Sequence, residues 1–215
     1  MTKTIKPLVK HVFPCEEYFE ISGVNYRGNT HTYRVYSKMT DSMNQDKFAK
    51  EYEKGKKEGN PHPMDSILHF SIFDSAVKSG DSDLMNFIQS GLRKYPNTLS
   101  RVIYNHSGKD EIIHNYGTSD AYLLTGDVVG PDGWIKDIND KKSLELLIGI
   151  KDTMKLDKIS QRINKTHMYL WRINSKPSEK IERVVRFGAG DYRLFLYAGR
   201  DSSNVFPAFR VLQVD

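Results

Sequence analysis

The sequence predicts an α+β fold: one domain with a mostly antiparallel mixed sheet, a central apolar helix over 64–79 and a C-terminal β-meander. Three observations predict it. Strand-like segments of aromatic and β-branched residues collect at both ends of the chain. Two helical patterns follow each other over 64–95 with no strand between them. Strands and helices therefore segregate, and the β-α-β alternation of a parallel sheet is missing. A length of 215 residues suits a single domain with a full core, and 24 aromatic residues offset a modest apolar fraction of 38%.

In chain order, residues 18–21 and 32–36 read as strands joined by a turn at 27–30. Residues 44–60 are dominated by charge. Only Phe48, Ala49 and Tyr52 suit a core, which predicts a solvated surface helix or a charged flap. Pro61 and Pro63 end it. The 64–79 helix carries Ile67, Leu68, Phe70, Ile72, Phe73, Ala76 and Val77, apolar over most of its circumference, with Gly80 as its C-cap. A second helix over 82–94 puts Leu84, Met85, Phe87, Ile88 and Leu92 on its inner side. The period then falls to two. Residues 100–105 and 111–116 form a hairpin around the loop 106–110, and 122–124 and 128–129 suggest further strands. A helix follows from Asn139 or Asp140, then a short one over 158–163. Strands over 166–173, 181–187, 192–198 and 208–214 make the meander.

The net charge of +5 conceals an uneven distribution. Residues 141–215 hold 15 Lys and Arg against 8 Asp and Glu, whereas 61–140 hold 6 against 11. Seven of the eleven arginines lie between Arg162 and Arg210. The single cysteine, Cys15, cannot form an internal disulfide and reads as buried and structural. The start resembles no signal peptide, and no run reaches the ~20 apolar residues needed to span a bilayer, so a cytoplasmic protein without a membrane is expected. No zinc, P-loop, dinucleotide or nucleophile-elbow motif occurs, so no cofactor and no metal is expected.

Function is sought in two places. In a strand over 192–198, side chains alternate: Tyr192, Leu194, Leu196 and Ala198 on one face, Arg193, Phe195 and Tyr197 on the other. A cation beside flat rings suits base stacking and phosphate contact. Arg172, Arg183, Arg186, Arg200 and Arg210 are candidates to extend this surface, with Tyr169, Trp171 and Phe209 as further rings. The expectation is a non-enzymatic protein that binds nucleic acid or another polyanion there, unless the acidic 61–140 segment neutralises the basic end. The alternative is a small hydrolase or phosphate-handling enzyme using His106, Asp110, His114 and Asp120, the densest cluster of proton-transfer groups. A third possibility is an interaction or assembly module, homo-oligomeric through exposed aromatics. His62 and His69 are expected to be core or capping residues.

Overall fold

The computed structural model describes residues 8–12, 17–201 and 203–215. Cys15 and the side chain of Arg200 fall outside the described part. Strand β1 (Val9–Val12) pairs with β2 (Tyr18–Tyr26), which turns back on β3 (Asn29–Tyr36). The turn is only Arg27 and Gly28, with φ of 52° and 84°. Both values are positive, as a two-residue hairpin turn matching strand twist requires. Polar side chains cap the five helices: α1 (Gln45–Glu58), α2 (Ser66–Ser79), α3 (Ser82–Leu92), α4 (Lys141–Ile148) and α5 (Thr153–Asn164). Asn44, Asp65, Asp81, Asp140 and Asp152 each accept a bond from an amide in the first turn.

The seven-stranded sheet comprises β4 (Asn97–Tyr104), β5 (Asp110–His114), β6 (Tyr122–Gly126), β7 (Gly133–Trp134), β8 (Met168–Trp171), β9 (Ile181–Ala189) and β10 (Leu194–Asp201). The order is β6-β5-β4-β9-β10-β8-β7, antiparallel throughout except for the parallel pair β8 and β10. A last strand, β11 (Arg210–Gln213), completes a four-stranded sheet in the order β1-β2-β3-β11. The chain is thus α+β with mostly antiparallel pairing.

Within the C-terminal third, only β9 and β10 follow each other as neighbours. Strand β8 lies beyond β10, and just past it the backbone amide of Arg172 bonds the Asp132 carboxylate at 2.7 Å, tying the end of β8 to the far edge. The chain then travels back through residues 172–180 before entering β9. Strand β11 crosses to the other sheet. Helix α5 also starts earlier than its apolar pattern suggests, since Asp152 caps it. Val128 and Val129 are not strand residues; their amides bond the Asp110 carboxylate instead.

Helix α2 is central. It touches both sheets, through β2 and β4, and packs against α3, α4 and α5. Its His69, Phe70, Ile72, Phe73 and Ala76 are almost fully buried. Helix α1 lies on the opposite face of the large sheet, against β4. The three apolar residues singled out in its charged sequence, Phe48, Ala49 and Tyr52, form a small separate core with Leu99 and Ala208. Helices α2 and α1 thereby sandwich β4, and every residue of that strand is buried. Among the described residues, nothing equivalent to α1 covers the β10-β8-β7 end.

Candidate functional site

At that end the outer face is a field of aromatic rings set by register. Phe195 of β10 is opposite Tyr169 of β8, which is opposite Trp134 of β7. One step along, Tyr197 is opposite Trp171. On the other flank, Gly188 lies beside Phe195 and Arg186 beside Tyr197. The rings are in mutual contact: Phe195 and Tyr197 at 5.2 Å and 24°, Trp134 and Tyr169 at 5.2 Å, Tyr169 and Trp171 at 5.3 Å. Tyr95 folds down over Gly188, where an added Cβ would come within 2.4 Å of its ring, and stacks on Phe195 at 6.3 Å. The Arg193 guanidinium caps one end of the field, 5.0 Å from the Tyr169 centroid and 5.4 Å from that of Trp134. Trp171 is 37% exposed, and Tyr169, Phe195 and Trp134 are half-buried. Tyr197 is 6% exposed and forms the floor. The opposite side of β10 is core, as alternation requires, with Leu194, Leu196 and Ala198 inaccessible. Tyr192, expected among them, precedes the strand and is 85% exposed.

The arginines do not gather around this field. Arg172 is buried and holds loops together, donating to the carbonyls of Val128 and Pro131, to Asp140 at 3.1 Å and to Ser143. Arg186 is buried beneath the rings of Tyr197 and Phe206. Arg183 donates to the Glu182 carbonyl and shares its parity with the core residues Val185 and Phe187, away from Arg186. Arg210 belongs to the other sheet, with its guanidinium over Tyr36, and Phe209 is in the core. Among the seven residues assembled from sequence whose side chains are described, the outer face keeps Arg193, Phe195 and Tyr197, with Arg186 beneath them. The basic end is also partly neutralised by the acidic segment: Lys155 pairs with Asp74, Arg172 with Asp140 and Lys176 with Asp110.

The four residues of the proposed acid–base cluster point to different places. His106 is exposed at the loop tip beside Ser107. Asp110 is fully buried and occupied by Lys176 and the amides of Asn105, Val128 and Val129. His114 is fully buried, with Nδ1 on the Ser100 hydroxyl at 2.8 Å and Nε2 on the Leu146 carbonyl at 2.9 Å. Desolvation lowers its pKa, so the ring is a neutral bridge between β4, β5 and α4. Only Asp120 faces an open space, a cavity of about 590 Å³. It accepts from the Tyr52 hydroxyl at 2.6 Å and from Lys56, contacts that hold its carboxyl below the usual range. Sequence patterns gave no signal for that cavity, because its walls come from five separate stretches of chain. No metal-binding group of three or more His, Cys, Asp or Glu occurs among the described residues, and no helix there is long and apolar enough to cross a membrane. Compared with protein-family models, curated proteins and solved structures, the chain matches none of them.

Proposed function

We propose that this protein binds single-stranded nucleic acid, without catalysis, on the outer aromatic face of its seven-stranded sheet. The observation that carries the proposal is the register of Tyr169 with Phe195 and of Trp171 with Tyr197 on adjacent strands, all but Tyr197 partly open to solvent, with Arg193 at one end. Unpaired bases offer π-faces to such rings, and each stacked base contributes about 1–3 kcal/mol whatever its identity. A duplex hides those faces, so it is a poor competitor. Phosphate contact is the smaller contribution, because Arg172, Arg183 and Arg210 are engaged elsewhere in the fold and Arg186 is buried.

Both tryptophans of the chain, Trp134 and Trp171, lie on this face, so intrinsic fluorescence reads the site directly. Titration with a short oligothymidylate at ~50 mM salt, where electrostatic affinity is strongest, should quench the emission saturably. A duplex of the same length should quench it far less. With one phosphate contact the log–log salt slope should be about −0.7. Absence of quenching, together with a stable dimer by light scattering, would mean that a second copy of the chain covers the face and would overturn the proposal.

A further inference from the structure

The cavity beside Asp120 opens where the four-stranded sheet, α1 and the turn between β5 and β6 meet. Its volume of about 590 Å³ is typical of small-molecule sites. Two non-glycine residues on its wall, Arg27 and Asn115, hold positive φ (52° and 50°). Such conformations are unfavourable for L side chains and gather at ligand sites. Arg27 occupies the first position of the two-residue β2–β3 turn, where Asn is the ordinary choice. Arg27 lies between this cavity and a neighbouring one, and its guanidinium is 3.8 Å from the centroid of Tyr122, which lines the neighbour.

The hydrogen-bond directions define what the wall offers. Tyr26 donates to Asp65 at 2.6 Å, Tyr33 to Gln213 at 3.2 Å and Tyr52 to Asp120 at 2.6 Å. The phenol hydrogens are therefore used; the oxygens of Tyr33 and Tyr52 can still accept, while that of Tyr26 already takes a bond from Asn115. His62 Nδ1 is 2.9 Å from the Pro63 carbonyl, which can only accept, so Nδ1 carries the proton and Nε2 keeps a lone pair. Burial lowers the His62 pKa and keeps the ring neutral. Donors come from Lys56 and Arg27. The charged side chains on the wall balance, Arg27 and Lys56 against Asp120 and Asp215. Asp120 is paired with Lys56 and Asp215 lies 3.4 Å from His31, so a ligand with net charge would have to displace an existing contact at those groups. A neutral ligand bearing several hydroxyls can donate to the Asp120 carboxylate, the phenols and His62 and accept from Lys56 and Arg27.

We infer that this cavity binds a neutral, ring-shaped polyol, a sugar ring with adjacent hydroxyls, either as a free saccharide or as the ribose of a nucleoside. The test is amide and side-chain NMR of the full chain, titrated separately with uridine and with maltose. Saturable shifts of Gly59 and Asn115 are expected with at least one of them. Affinity should fall about tenfold in Asp120→Asn and in Tyr33→Phe, as the loss of a good hydrogen bond implies. Tryptophan emission from the outer sheet face should not change. Response to uridine alone identifies the nucleoside, and response to maltose alone the saccharide. Asp120 is half-exposed and Asn is isosteric with it, so that variant stays informative if Tyr33→Phe is poorly folded. No saturable shift with either compound up to ~20 mM, or unchanged affinity in Asp120→Asn, would overturn the inference.

Discussion

The two faces of the large sheet at β9 and β10 are built from similar residues and end in opposite states. On the inner face Phe187 meets His69 and Phe73 of α2, with ring centroids at 5.0 and 5.2 Å, and Phe209 closes the cluster. All four are at most 2% exposed. On the outer face, Tyr169, Trp171 and Phe195 make comparable ring contacts yet remain open. Aromatic content does not separate them. The difference is a covering element: α2 spans the inner face, while α1 reaches β4 and stops short of β10. Rings under a helix are committed to the core, and rings without one are available to a ligand.

His69 shows how thorough the inner burial is. Neither of its ring nitrogens has a hydrogen-bond partner, and its neighbours are the edges and faces of three phenylalanines. Desolvation pushes its pKa down to about 3. An imidazole can be held there only in its neutral form.

Substitutions should separate the faces by size of effect. Phe187→Ala empties the centre of the inner cluster and should cost about 3–5 kcal/mol in urea denaturation, as large-to-small core changes do. A cost under about 1 kcal/mol would mean that the inner face is no better packed than the outer.

Acid should come next. His69 is protonated more readily unfolded than folded, so its contribution is whole above about pH 6.5 and is lost as pH falls towards 3. Between pH 7 and pH 4.5 this loss should be about 2–3 kcal/mol, at 1.36 kcal/mol for each pH unit below the unfolded pKa. His114 and His62, also depressed, add slope in the same direction. The contribution of His69 is therefore isolated as the difference in slope between wild type and His69→Leu. Parallel slopes would show that the ring is not neutral in the fold.

On the outer face, Gly188→Ala drives a methyl group into the Tyr95 ring. The ring belongs to a residue already held at φ 55°, so it has little freedom to yield. Overpacking of this kind costs about 1–3 kcal/mol, and displacement of Tyr95 from Phe195 should also weaken oligothymidylate quenching. Trp171→Ala should have the smallest effect on stability, within about 1 kcal/mol, since the ring is only partly buried. It should nevertheless lower oligonucleotide affinity by about 1–3 kcal/mol without changing the salt slope. Arg193→Gln should do the reverse, flattening the slope by about 0.7 with little loss of stability. If Trp171→Ala unfolds the protein, the outer rings are core in the same sense as the inner ones.

The sequence by itself determined what is local. The helix stop at Gly80 and the helix start at Asp140, strand alternation at Leu194, Leu196 and Ala198, and the burial of Phe48, Ala49 and Tyr52 in a charged helix all follow from periodicity and capping. So did the pairing of Arg193 with Phe195 and Tyr197 on one face. Which strands become neighbours, and what covers them, was decided only in three dimensions. Alternation fixes the parity of a residue but not the partner of its strand. It therefore could not place Arg210 in the other sheet or Trp171 beside Tyr197. His114 looked like chemistry because proximity in sequence resembles proximity in space. In the fold, Ser100 and the Leu146 carbonyl take both its nitrogens. The cavity beside Asp120 was invisible for the same reason. Tyr26, Tyr52 and Asp120 are nearly a hundred residues apart from first to last, and only packing of α1 against the sheets brings them to one wall.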